Sequence, residues 1–213
     1  MPVLIPSQPS NDIGKKLNRV DKKQRLPAPQ IIQLRVELVG DNPTIWRRVI
    51  VPSDITLTKL HKTIQIAMGW FDCHLHEFVI NNERYGQPEP DWDYDEVISE
   101  QRKRLLKTLE GSKSFTYIYD LGDDWEHSIK VESISANTPK ITHPVCIDGE
   151  YACPPEDCGG TTGYRDLLEI LSDPENPEHE SMQTWVGLYF NPSEFDLFEA
   201  NTELAKLGKP YGT

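Results

Sequence analysis

The chain has 213 residues, 37 % hydrophobic and 26 % charged, with a formal net charge of −12. That length suits one good-sized core, and no apolar run approaches the ~20 residues a membrane helix requires. The acidity is uneven: residues 1–30 carry six Lys/Arg against two Asp, which leaves the remainder at −16, a body that repels phosphate backbones and suits cations or basic partners.

In chain order, residues 1–29 lack hydrophobic periodicity and begin and end with prolines, which predicts a flexible basic arm. Gly14 to Leu26 has the composition of a short basic helix, whose Lys/Arg either touch nucleic acid or form a solvated tail. Residues 1–10 show no basic region leading into an apolar core, and the cysteines (Cys73, Cys146, Cys153, Cys158) are too sparse for a disulfide scaffold. Both features predict a cytoplasmic protein.

The fold proper is expected over residues 30–208. Ile32, Leu34, Val36 and Leu38 alternate with polar residues, Asp41-Asn42-Pro43-Thr44 makes a turn, and Ile45 to Val51 returns as a second strand. Thr56 then stands at an N-cap, Leu57, Leu60, Ile64 and Met68 recur at helical spacing, and Gly69 ends the helix. His61 lies at the boundary of that stripe. The run from His74 to Ile80 alternates as a strand, with His74, His76, Phe78 and Ile80 on one face, and Asn81-Asn82 suits a tight hairpin turn. Glu89 to Glu96 reads as an acidic loop and Glu96 to Leu109 as a helix.

The chemically densest stretch is Tyr119-Asp120-Leu121-Gly122-Asp123-Asp124-Trp125-Glu126-His127, an acidic turn between two alternating runs, residues 114–134. A second loaded stretch, Asp148-Gly149-Glu150-Tyr151-Ala152-Cys153-Pro154-Pro155-Glu156-Asp157-Cys158-Gly159-Gly160, reads as a loop that fixes its backbone with prolines and frees it with glycines, holding Glu156 and Asp157 in place ahead of a helix near 162–172. Asp196 and Glu199 have capping-box spacing for a final helix near 197–207. The whole predicts an α+β fold: a single compact domain with an antiparallel sheet built from hairpins, covered by helices.

Ile45-Trp46-Arg47-Arg48, His74-Leu75-His76-Glu77-Phe78, the 119–127 stretch, the 152–160 stretch and Phe195-Asp196 closely resemble, in order, the plasmid pRiA4b third-open-reading-frame-like family. Leu121 replaces the family's usual Phe. The resemblance implies a compact α+β domain with no established enzyme activity, some members being labelled insertion-element passengers. A non-catalytic binding or accessory module linked to mobile DNA is therefore the first functional expectation, with a protein or small molecule preferred over nucleic acid as partner. The alternatives are a DNA-binding protein acting through the basic arm and a metal-dependent hydrolase. In the hydrolase reading His74, His76, Asp120, Asp123 and His127 supply ligands to a divalent metal, and Glu156 or Asp157 is the base. Each histidine can equally be a hydrogen-bonded sheet residue and each acid a turn former. The site expectation is that His76, Asp123, His127, Glu156 and Asp157 converge on one cleft, with Trp125, Cys153, Cys158, Gly159 and Gly160 as further motif residues.

Overall fold

The computed structural model describes residues 30–40, 43–88, 97–137 and 140–208. The expected arm at 1–29, Asp41 and Asn42 of the first turn, and the acidic loop at 89–96 lie outside them. The alternating run becomes β1 (Gln30–Leu38), paired antiparallel with β2 (Trp46–Pro52). Ile32, Leu34, Val36 and Leu38 are buried while their neighbours stay partly exposed, as period-2 geometry requires.

Helix α1 (Leu57–Met68) starts where Thr56 Oγ1 accepts from the Lys59 N–H and stops where Gly69 takes φ +98°. Its stripe of Leu57, Leu60, Ile64 and Met68 joins the sheet residues in one core. β3 (His76–Ile80) and β4 (Glu83–Gly86) form a hairpin through Asn81 and Asn82, both at positive φ, the backbone a two-residue turn demands. β6 (Ser114–Tyr119) and β7 (Trp125–Ala136) form the hairpin that carries the 120–124 turn. Along β7, Trp125, His127, Ile129 and Val131 point inward and Glu126, Ser128, Lys130 and Glu132 outward.

Three segments differ from the sequence reading. Residues 97–109 are not one helix: Val97–Ser99 is a short strand, β5, running parallel to β4, and α2 is confined to Leu105–Leu109. The Glu100 N–H is held by Gly86 O, and Arg102 takes φ +64°, so helical geometry cannot run through this stretch. Val145–Glu150 forms β8 against β2, where Gly149 leaves room for the Phe195 ring and the Arg47 side chain. Finally, α4 (His179–Val186) precedes the last helix. The sheet is thus mixed, in the order β5-β4-β3-β6-β7-β1-β2-β8, antiparallel at every pair except β4 with β5. Buried residues of α1, α2, α3 (Gly160–Ser172) and α5 (Leu197–Leu204) share its core. None of the described helices is long and apolar enough to cross a membrane.

Arg47 is a buried cation. Its Nε donates to Ala67 O at the C-terminal end of α1, its Nη1 to Trp46 O and Glu150 O, and its guanidinium lies 3.7 Å from the Phe195 ring centroid. Carbonyl dipoles at a helix end, instead of a carboxylate, accommodate the charge, and burial lowers its pKa.

Candidate functional site

Three loops meet beyond the ends of β3, β6 and β7, and side chains fasten each one. In the 71–74 loop every backbone N–H has a side-chain acceptor. Phe71 N–H donates to Glu156 Oε1 at 2.7 Å, Asp72 N–H to Gln65 Oε1 at 3.0 Å, and the Cys73 and His74 N–H groups both to Tyr119 Oη, at 3.0 and 3.3 Å. Tyr119 Oη in turn donates to Glu156 Oε1 at 2.9 Å, and desolvation together with that carboxylate pushes its pKa up. In the 120–124 turn, Asp120 sits at φ +56° with Oδ1 accepting from the Gly122 and Asp123 N–H groups. Asp123 Oδ2 accepts from the Gly159 N–H and so ties this turn to the third loop. Gly160 makes the approach feasible, since a Cβ there would lie 2.6 Å from Asp123 O.

At the junction, His74 Nε2 lies 3.6 Å from Asp120 Oδ2 and 3.2 Å from Asp157 Oδ1. The ligand atoms of these three residues all fall within 4.8 Å of one another. His74 Nε2 is buried as an atom and makes no well-directed hydrogen bond, although both carboxylates are near. With metal–ligand bonds of ~2.1 Å, ligands at adjacent corners of a coordination shell stand about 3.0–3.5 Å apart; the two distances from His74 Nε2 are close to that spacing, and the exposed Asp157 side chain is the one that would adjust to close the set on a divalent cation. Asp120 is anchored from below, whereas the Asp157 side chain is 72 % exposed and leaves the outer side open. Cys73 lies beside it, its thiol pKa raised by desolvation and by the charges of Glu156 and Asp157.

The other site residues named from the sequence go elsewhere. His76 is buried, Nε2 2.9 Å from Glu100 Oε2, its ring stacked on His61 at 3.5 Å. Hydrogen bonding to His76 and its charge outweigh burial and hold Glu100 below its ordinary pKa. His127 is fully buried, Nδ1 3.3 Å from Tyr117 O, and desolvation lowers its pKa to about 4. β6 runs between β3 and β7, so His76 and His127 sit two strands apart, roughly 10 Å, with Tyr117 against both. The single cleft expected for His76, Asp123, His127, Glu156 and Asp157 is thus replaced by distinct placements. Asp157 is at the junction, Asp123 and Glu156 fasten loops, and the two histidines are in the core. Trp125 is core, 6.1 Å from Trp70. Cys153 and Cys158 pack against the core and are not joined by a disulfide.

The sequence reading missed a buried polar circuit. Gln65 Nε2 donates to Tyr117 Oη, Tyr117 Oη lies 2.8 Å from His61 Nδ1, and His61 Nε2 lies 2.6 Å from Asp72 Oδ1. Because a carboxylate only accepts, Nε2 carries the proton and Nδ1 accepts from Tyr117. The Asp72 N–H returns to Gln65 Oε1 and closes the circuit. His61 is therefore a core residue and not a boundary one; burial and the neighbouring His76 lower its pKa to about 4. The available signal was His61 and Gln65 at i, i+4 on one helix face.

Comparison with known proteins agrees with this architecture. The chain is 39 % identical over 175 residues to the uncharacterized protein y4hQ of Sinorhizobium fredii, covering 80 % of this chain and 86 % of the relative. It also superposes on the crystal structure of a protein of unknown function, MM3350 from Methanosarcina mazei Go1, with a TM-score of 0.72 and 36 % identity. That match covers 80 % of this chain and 97 % of the other. Residues 30–199, from β1 to the start of α5, match one family, and the chain belongs to it: the plasmid pRiA4b ORF-3-like proteins.

Proposed function

We propose that this protein is a non-catalytic binding module, cytoplasmic and accessory to mobile DNA, whose ligand site is organised by a divalent cation at His74, Asp120 and Asp157. The observation that carries the reading is the gathering of one imidazole nitrogen and two carboxylate oxygens from three loops to within 4.8 Å. One nitrogen and two oxygens suit Zn²⁺, Mn²⁺ or Fe²⁺ better than a soft thiolate-seeking ion. Three protein ligands leave coordination positions free on the open side, where an oxygen donor from a small molecule or a protein side chain completes the shell. Both carboxylates named as candidate bases favour binding over hydrolysis: Glu156 accepts from the Phe71 N–H and Tyr119 and is held as a structural acceptor, and Asp157 is taken up as one of the three ligands.

The test is metal titration of tag-free protein by calorimetry with Zn²⁺ and Mn²⁺, alongside elemental analysis. One cation per chain is expected, with affinity falling at least about 100-fold in His74→Ala and Asp157→Asn and unchanged in His127→Leu. Absence of uptake, or uptake indifferent to His74 and Asp157, refutes it.

A further inference from the structure

We infer that the cleft bordered by Lys59, Arg104, Lys107 and Lys140 is a docking face for the phosphate backbone of a nucleic acid. The cleft is broad, about 1040 Å³, and the cations come from three segments that only the fold brings together: α1, the start of α2, and the connection from β7 to β8. Asp54 is the sole carboxylate among its described lining residues, and it is engaged with Arg104 Nη1 at 3.7 Å. In a chain of net charge −12 this is a local inversion of sign. Whole-chain charge argues against a nucleic-acid partner; the distribution of charge reverses that argument at one end.

Where the chain enters gives a second reason. Gln30, the first residue of β1, lines the cleft, and the sequence that precedes it carries six Lys/Arg against two Asp. The −16 of the remaining chain repels a polyanion elsewhere and confines it to this end. An anionic membrane fits less well, because among the described residues none of the exposed large apolar ones, such as Phe71, Tyr189 and Phe198, borders the cleft to enter a bilayer. Ser53, Thr56 and Thr142 add hydroxyl groups to the lining, the side chains that accompany Lys and Arg on phosphates.

The test uses the full chain and a fluorescein-labelled duplex of about 20 base pairs, read by anisotropy from about 50 to 300 mM NaCl. Binding at low salt is expected, with log Kobs falling against log [NaCl] at a slope of about −4 or steeper. Lys107→Gln with Lys140→Gln leaves the Thr56 cap and the Arg104–Asp54 pair intact. At parental melting temperature the double variant should flatten the slope by about two and weaken binding at least about tenfold at low salt. Lys59→Gln alone, should the double variant fail to fold, should flatten it by about one. Three results overturn the inference: no duplex binding at low salt, an unchanged slope in a folded variant, or binding to phosphatidylserine vesicles in preference to the duplex.

Discussion

Replacing His127 with leucine tests how the core around Tyr117 is held. The His127 ring is fully buried, with Nδ1 donating to Tyr117 O, Nε2 without a hydrogen-bond partner, and Trp70 edge-on at 5.3 Å. Burial lowers its pKa from 6.5 to about 4, against a weaker opposing pull from the Tyr117 and Trp125 backbone. The unfolded chain therefore takes up a proton between pH 6.5 and 4 that the folded chain refuses. Stability is intact above pH 6.5 and is lost as pH falls through that window. At ~1.4 kcal/mol per pH unit, this one histidine removes about 2 kcal/mol between pH 7 and pH 5. In His127→Leu the pH 7-to-5 difference in unfolding free energy should shrink by that amount. Equilibrium urea melts at the two pH values measure it, provided the m-value is the same in both proteins. At pH 7 the variant should stay within ~1 kcal/mol of the parent, because losing one buried hydrogen bond is offset by removing the unpartnered Nε2. His61, whose pKa burial also lowers to about 4, titrates in both proteins and cancels. An equal acid loss in parent and variant refutes the reasoning.

Gly160→Ala places a Cβ 2.6 Å from Asp123 O at φ +67°, so a loss of roughly 3 kcal/mol is expected, read as a melting temperature about 6–12 °C lower. Arg47→Lys should lose roughly 2–4 kcal/mol by chemical denaturation, because an ammonium cannot reach three carbonyl oxygens while covering the Phe195 ring. Glu156→Gln keeps an acceptor for Phe71 N–H and Tyr119 and should hold stability within ~1 kcal/mol, whereas Glu156→Ala should cost about 2 kcal/mol in the same assay.

The hairpins at β1/β2, β3/β4 and β6/β7 and the helix α1 were legible because each rests on local rules, such as alternation, Asn-Asn at positive φ, and Thr and Gly caps. β5 was not, since three residues carry too little periodicity to outweigh the helical look of 96–109. β8 was hidden because Asp148-Gly149-Glu150 reads as the start of the 148–160 loop; pairing with β2 imposes the strand, and Gly149 serves packing. His74 shows why the site was only half legible. Alternation paired it with His76, but the strand begins at His76, and Asp72 at φ +60° turns the preceding loop out of the sheet. His74 thereby faces Asp120 and Asp157 while His76 faces Glu100. Which acid each would meet depends on contacts across 24 to 83 positions, and spacing carries no such information.

Whether a cation at this junction serves structure or ligand binding follows from what already holds the loops. The 71–74 loop is bound by Glu156, Gln65 and Tyr119, and the 120–124 turn is bound to Gly159 through Asp123, all without an ion. A cation has little left to order there, unlike a structural zinc whose binding energy is the folding energy. Its stabilisation is then the mass-action amount, about 2.7 kcal/mol at a hundred times Kd, and should vanish in Asp157→Asn. A structural ion is also enclosed by four protein ligands, whereas here one of three candidate ligands, Asp157, is largely exposed and the outer coordination positions face solvent. A prefastened scaffold with an open coordination face leaves the affinity of the cation to be spent on an external donor, which is the arrangement a cation-dependent binding site requires.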